Sequence, residues 1–397
     1  MQKDTGGKFI PGKTRIKYGG AVVTSAEIKA IQKVLNRNWW TLDEEGRLFE
    51  KELARKVDVE FAILTNSGSS ALLLALSALQ LPRGSEIVIP ACNFPTVVNA
   101  ALVNRYRPVF VDVDLGTYCL NLNEFEKAIS KKTKAAVLVN IAGNTTEIDK
   151  FVKIANKHGL KTILDNCDGF GSKFDGEFVE TYFDIAATSF HAAHIITTGE
   201  GGAIFTRNKT LAERVISMRE WGRAMDSDKP IRYPTLPEDY PSRYTYITRG
   251  FNLKPIELQA AMGRVQLKKL EKIKGARSRN FEFWLKKLSR FSKFLSLPAV
   301  HQKADISWFS FPITLLKGSR KNLLKFLESK NIETRVIFAG NIINQPAYKN
   351  IDCRIESDLK NATKILKQGF FISAHPSINL QMKNYVIDCF REYFENG

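Results

Sequence analysis

The sequence is poor in cysteine and in histidine, with five of each among 397 residues, and it holds no CxxC pair and no Cys/His cluster. Cys92, Cys119, Cys167, Cys353 and Cys389 lie far apart, which excludes a disulfide framework or a zinc module and predicts buried free thiols. No apolar run approaches the roughly 18 residues that span a bilayer. Met1 to Lys17 is polar and rich in Gly and Lys, without the apolar core of a secretory signal, so a cytoplasmic protein is expected. Acidic residues are the minority charge, 41 against 59 basic ones, for a formal net charge of +18. Such a field attracts nucleic acid, acidic membranes or phosphorylated small molecules. The basic residues are spread along the chain and no aromatic-and-basic recognition pattern accompanies them, so neither nucleic acid nor membrane is an expected partner.

What the chain does have is 44% hydrophobic residues, enough for one large core and a smaller second one. Short β-branched runs alternate with helical patterns, which predicts an α/β fold with a mostly parallel sheet and helices on both faces. Strands are expected at Phe61–Thr65, Glu86–Pro90, Val109–Val113, Ala135–Ile141, Thr162–Asp165, Ile185–Ser189 and Ala203–Thr206. Helices are expected to start near Ser69, Thr96, Leu122 and Glu147, each close to a capping residue. Asp226–Thr248 reads as a long loop and Pro255–Arg290 as one strong helical pattern. Strands at Trp308–Thr314, Glu333–Phe338 and Phe370–Ser373, with helices at Lys321–Lys330 and Met382–Tyr393, suggest a small α+β domain. The expected division is residues 1–260 for a large domain and 261–397 for the smaller one.

Chemistry concentrates in three places. Thr65-Asn66-Ser67-Gly68-Ser69-Ser70 follows a strand and opens a helix, which suits a phosphate, although a bare structural turn has the same composition. In Asp165-Asn166-Cys167-Asp168 a carboxylate stands at the carboxyl end of an apolar strand, where it can pair with a protonated pyridine nitrogen or simply cap a turn. The third is Ser189-Phe190-His191-Ala192-Ala193-His194-Ile195-Ile196-Thr197-Thr198-Gly199-Glu200-Gly201-Gly202. Its two histidines stand three apart with no third ligand nearby, so no metal is expected.

The order Ser-Phe-His-x-x-Lys-x-x-Thr-x-Gly-Glu-Gly-Gly resembles the active-site signature of the DegT/DnrJ/EryC1/StrS sugar aminotransferase family, with His194 at the lysine position. The likeness runs from about Gly20 to the C-terminus and includes Gly250-Phe251-Asn252-Leu253-Lys254-Pro255-Ile256-Glu257-Leu258-Gln259-Ala260-Ala261. It implies the PLP-dependent transferase fold type I: a seven-stranded mostly parallel sheet, a smaller C-terminal domain, and a homodimer with its sites at the interface. The implied cofactor is pyridoxal 5'-phosphate or its pyridoxamine form. Asp165 would then pair with the pyridine nitrogen, Asp168 approach the ring hydroxyl and Phe94 stack on the ring. Gly68, Ser69, Ser70 and Ser189 would hold the phosphate, with Asn252 reaching it from the partner subunit.

An imidazole cannot replace a primary amine in forming a Schiff base, but it remains a good proton acceptor. The same exchange marks the family's dehydratase branch, the GDP-4-keto-6-deoxymannose and CDP-4-keto-6-deoxyglucose groups. The likeness therefore implies a nucleotide-sugar 3-dehydratase with His194 as base, acting on a nucleotide-linked 4-keto-6-deoxy sugar and renewing its cofactor with L-glutamate. Trp221, Arg223, Trp308, Arg335 and Asn341 are placed around the sugar nucleotide, and His375 is either a substrate ligand or structural. Cys167 matches one of four cysteines that hold an iron–sulfur cluster in the CDP-sugar group. The other three belong in the loop after Arg223, and Ala224–Arg249 contains none, so no four-thiolate cluster is expected. The nucleotide stays open. Two other readings also stand: an aminotransferase-like enzyme with an unusual lysine, which cannot lie between Lys173 and Lys209, and a non-catalytic sugar-nucleotide binding protein.

Overall fold

Alternate residues of the apolar strands face opposite ways, so Ile63, Ile89, Val137 and Ile163 enter one core while Leu64, Val88, Leu138 and Leu164 enter another. The computed structural model describes residues 9–226, 229–230, 241 and 244–395. Its main sheet holds β1 (Phe61–Thr65), β2 (Glu86–Pro90), β3 (Arg107–Val111), β4 (Thr133–Val139), β5 (Lys161–Asp165), β6 (Ile185–Ser189) and β7 (Gly202–Thr206). They lie in the order β1-β7-β6-β5-β4-β2-β3, and the two-residue strand Arg354–Ile355 adds an eighth beside β3. Only β7 runs against its two neighbours.

Two strands end earlier than expected. Val113 leaves the ladder to bridge Leu120, and Ile141 opens a 3-10 turn, Ile141–Gly143. Both side chains are still buried, so the apolar run outlasts the strand.

The helices of the first part are α1 (Ser25–Leu35), α2 (Glu44–Val57), α3 (Gly68–Ala78), α4 (Pro95–Val103), α5 (Leu122–Ala128), α6 (Ile148–Lys157) and α7 (Lys209–Arg219). Apolar faces of α3, α4 and α7 cover one side of the sheet, and those of α2, α5 and α6 the other. Ser67 caps α3 and Asn121 caps α5, whereas α4 starts on Pro95 without a side-chain cap and α6 has none. The N-terminus of α2 is capped from far away: buried Glu257 accepts from the amides of Asp43, Glu45 and Gly46 at 2.6, 2.8 and 2.9 Å.

The single helix expected over Pro255–Arg290 is two, α8 (Glu257–Leu267) and α9 (Leu270–Leu288). The break lets α8 pack on α1 and α2 while α9 turns its own stripe elsewhere. Leu270 and Ile273 reach the core beneath the sheet; Phe281, Trp284 and Leu288 enter the C-terminal core. Most of the loop expected over Asp226–Thr248 lies outside the described residues. The C-terminal part holds β8 (Ser310–Leu315), α10 (Arg320–Ser329), α11 (Lys360–Gln368), β9 (Gly369–Ser373) and α12 (Leu380–Glu395). Strands β8 and β9 pair antiparallel, flanked by Leu295–Ser296 and Arg335–Val336. The strand expected over Glu333–Phe338 is cut to two residues because the chain turns at Phe338, whose φ is +42°. Position 260/261, the proposed division, falls within α8, and Ile337, Ile365 and Phe371 of the C-terminal part pack into the first core. Among the described residues no helix is long and apolar enough to cross a membrane.

Candidate active site

The carboxyl ends of β1, β5 and β6 come to one edge of the sheet, the usual ligand edge of such folds. The turn from β1 into α3 packs against the end of β6 and the start of β7 so closely that only glycine fits. A Cβ on Gly68 would lie 2.5 Å from Ser189 Cβ, and one on Gly202 2.6 Å from the Ser67 carbonyl oxygen. Ser67 and Ser70 are occupied within this turn, Ser67 Oγ accepting from the Ser70 amide and Ser70 Oγ donating to Asn66 Oδ1 at 2.6 Å. Exposed Ser69 instead meets Thr96 of α4, the two hydroxyls 3.2 Å apart. Two helix N-termini and two hydroxyls thus converge, a donor set that fits a phosphate.

Asp165 is buried, and its carboxylate accepts from the Cys167 amide at 3.1 Å and from the Cys167 thiol. Burial pushes its pKa up. A buried carboxylate with no cation beside it fits the protonated ring nitrogen of a pyridine cofactor, which supplies the missing charge. Asp168, also buried, accepts from the Ala142 amide at 2.9 Å through Oδ2 and presents Oδ1 to His194 Nε2 at 3.6 Å. Its pKa is raised to about 8, first by burial and then by the Asp165 charge, against the opposing Ala142 amide and Arg277.

His194 is 15% exposed at its side chain. Its Nδ1 lies 3.2 Å from the Ser189 carbonyl oxygen, which can only accept, so Nδ1 carries the proton and Nε2 keeps the lone pair. Phe309 packs edge-to-face on the imidazole, with centroids 5.4 Å apart and planes at 87°. Burial is the main reason that its pKa falls to about 4; His191 and Arg277 push the same way and the Ser189 carbonyl opposes them. The ring is neutral at pH 7, a base rather than a primary amine. His191, for its part, accepts from the Ala193 amide and lies 3.8 Å from Glu200, and so shapes this loop.

The residues expected around the sugar, together with Phe94 and Asn252 expected at the cofactor, separate. Trp221 is 39% exposed at a φ of +63°, its ring flanked by Lys254 Nζ at 3.5 Å and the Arg223 guanidinium at 4.4 Å. Phe94 is exposed and meets Phe338 edge-on at 5.9 Å. Exposed Asn252 continues the segment that carries Lys254 and bridges Glu220. Trp308 is not brought to the site: it is buried and stacked flat on Phe281, 3.5 Å between centroids, and its neighbour Phe309 lies against His194 instead. His375 is buried, its Nε2 3.0 Å from the Gly20 carbonyl and its Nδ1 2.7 Å from Ser377 Oγ, the arrangement of a structural tie. Asn341 is buried on Thr363, and Arg335 pairs with Glu333 beneath the Tyr18 ring.

Arg277 and Thr96 escaped the sequence reading. Arg277 had a signal: it stands with Ile273, Phe281, Trp284 and Leu288 on the buried stripe of α9, where a charge needs a reason.

Against known proteins, residues 22–391 match the family model described as the DegT/DnrJ/EryC1/StrS aminotransferase family. Lipopolysaccharide biosynthesis protein RfbH of Salmonella typhimurium is 37% identical, over 97% of this chain and 93% of its own length. The dTDP-4-dehydro-2,6-dideoxy-D-glucose 3-dehydratase of Saccharopolyspora spinosa is likewise 37% identical, over 97% of this chain and 88% of that one. Among solved structures, the E. coli GDP-4-keto-6-deoxy-D-mannose-3-dehydratase with bound hydrated PLP has a TM-score of 0.88 at 27% identity, covering 95% of this chain and 100% of that one. A GDP-4-keto-6-deoxymannose-3-dehydratase with a trapped PLP-glutamate geminal diamine also has a TM-score of 0.88, at 27% identity over 94% of this chain and 99% of that one.

Proposed function

We propose that this chain, which belongs to the DegT/DnrJ/EryC1/StrS aminotransferase family, is a nucleotide-sugar 3-dehydratase that removes the C3 hydroxyl of a nucleotide-linked 4-keto-6-deoxyhexose to leave a 3,6-dideoxy-4-keto sugar. It is an enzyme of a PLP-dependent, sugar-modifying family, and PLP or PMP is its cofactor. The observation that carries the finer reading is His194: an imidazole stands where the signature has its lysine, with Nδ1 held by a carbonyl and Nε2 left basic.

Bound in its amine form, the cofactor supplies a primary amine for the sugar ketone and a ring that accepts the charge left by proton loss. Asp165 keeps the ring nitrogen protonated, and Asp168 approaches the ring hydroxyl. Gly68, Ser69 and Ser189 line the phosphate site, with Thr96 beside them and Asn252 reaching over from a second copy in a homodimer. Ser70 supports that turn from within. His194 takes the proton at Nε2 and returns it to the departing C3 oxygen. Phe309 keeps water from the imidazole, and Phe94 would stack on the cofactor ring. Trp221, Arg223, Arg335 and Asn341 border the sugar nucleotide, and L-glutamate, the compound trapped with PLP in the solved relative, is the amino donor.

The test is to incubate the protein with pyridoxamine phosphate, L-glutamate and GDP-, CDP- or dTDP-linked 4-keto-6-deoxyhexose, following ammonia release and product mass. Loss of the C3 oxygen, abolished in His194→Asn, supports the reading and names the nucleotide. An amino sugar as product overturns it.

One observation favours a second reading, transamination through another lysine. The Lys254 Nζ is buried and makes no hydrogen bond among the described residues, lying 3.8 Å from Glu220 and 3.5 Å from the Trp221 ring centre. Burial is the main reason that its pKa is lowered. Borohydride reduction of the PLP form followed by peptide mapping separates the readings: a label on Lys254 supports transamination, and a label-free protein supports His194.

A further inference from the structure

A buried arginine usually faces a carboxylate, yet Arg277 of α9, 1% exposed, makes all its hydrogen bonds to main-chain carbonyls. One guanidinium nitrogen donates to the Phe309 carbonyl at 2.6 Å and the Trp308 carbonyl at 3.3 Å. The other reaches the carbonyls of Ala193 at 3.5 Å and of His194 itself at 3.4 Å. The fork therefore joins the loop that bears the imidazole to the strand entry that bears its aromatic wall, segments distant in sequence. Its planar geometry holds both at fixed spacing, which a lysine point charge cannot do.

These bonds belong to a closed circuit. The Phe309 amide donates to the Ala142 carbonyl at 3.0 Å, and the Ala142 amide donates to Asp168 Oδ2 at 2.9 Å. Asp168 Oδ1 then faces His194 Nε2 at 3.6 Å, which returns the path to its start. The Ala142 link is strained: its φ is +56°, unusual for a residue with a side chain. The next residue, Gly143, has a φ of +90°, and a Cβ there would lie 2.3 Å from the Ser307 carbonyl oxygen. Backbone strain beside a reacting group is kept where the surrounding structure needs that geometry.

We infer that Arg277 is a positioning residue for His194: through the circuit Arg277, Phe309, Ala142 and Asp168 it fixes the imidazole so that Nδ1 meets the Ser189 carbonyl and Nε2 points at the reacting atoms. The inference rests on the reading of His194 as the base. The groups that face the imidazole are Asp168, His191 and Arg277, and Arg277 is the cation that adds to burial in lowering the His194 pKa.

The test uses cofactor-free protein labelled in its histidines for NMR, with His194→Asn to assign the resonance, alongside kinetics of the full enzyme. Wild type is expected to show a single Nδ1–H tautomer for His194 and a titration below the ordinary histidine range. Arg277→Lys keeps the charge and loses the fork: both tautomers should appear and kcat should fall roughly tenfold to a hundredfold, with KM within about twofold. Arg277→Met loses the charge as well, and the midpoint should move up slightly while burial still holds it below the ordinary histidine range. If Arg277→Met does not fold, Arg277→Lys decides. Folded variants with a wild-type His194 tautomer and unchanged kcat overturn the inference. Undiminished turnover in His194→Asn instead overturns the dehydratase reading, and the tautomer result still reports on Arg277.

Discussion

The cofactor side and the sugar side of this site rest on different supports. On the cofactor side Gly68, Asp165 and Ser189 stand at or just beyond strand ends, so sheet register alone brings them together. On the sugar side two candidates are already employed: Trp308 packs on Phe281 and His375 ties the chain near Gly20. A residue whose polar atoms are left over by the fold is available for chemistry, and one whose atoms are spent on the fold is not. Asp165 and Trp308 are the extremes.

Asp165→Asn gives the largest expected effect. It keeps the acceptor for the Cys167 amide but removes the anion, so turnover should fall on the order of 10²-fold or more and PLP binding should weaken. The cofactor-free protein should meanwhile become more stable, by about 1 kcal/mol, because a buried carboxylate without a cation has been neutralised. Thermal melts of the cofactor-free form, paired with kinetics, check both halves; a drop in melting temperature with activity intact would break the comparison. At the other extreme, Trp308→Ala should cost about 3–5 kcal/mol of stability and leave KM for the nucleotide sugar little changed. Phe309→Ala, one residue on, should lower kcat instead, since its ring borders His194. A raised KM in Trp308→Ala at near-normal stability would return the indole to the substrate.

Those contrasts mark how far the sequence is informative. Strands and their order along the chain were legible because burial on both faces writes near-continuous apolar runs, while their ends were not, since Val113 and Ile141 stay buried after the ladder stops. The break between α8 and α9 left no mark because both halves carry good helical patterns and only tertiary packing turns them apart. Asp165 and His194 could be read from their local sequence. The carbonyls held by Arg277 could not, because main-chain contacts depend on where the chain goes rather than on residue type.

The smallest expected effect is a pH slope that only the cofactor side should show. In the cofactor-free protein His194 titrates near 4 rather than 6.5, so between those values the unfolded chain binds the extra proton and stability falls as pH falls. Asp168, raised to about 8, works the other way: the native state holds a proton that the unfolded chain releases, and stability falls as pH rises from about 3.8 to about 8. Buried Glu180, raised to about 7, adds to that decline below neutrality. Between about 4.5 and 6.5 His194 offsets only one of these two carboxyls, so a net decline remains, and from about 7 to 8 the loss belongs to Asp168. Denaturant melts across that range should therefore show stability declining in wild type and flat in Asp168→Asn. Asn341→Ala, on the sugar side, should lower stability by the same amount at every pH and keep the wild-type slope; a flattened slope there would mean that the two sides share their electrostatics after all.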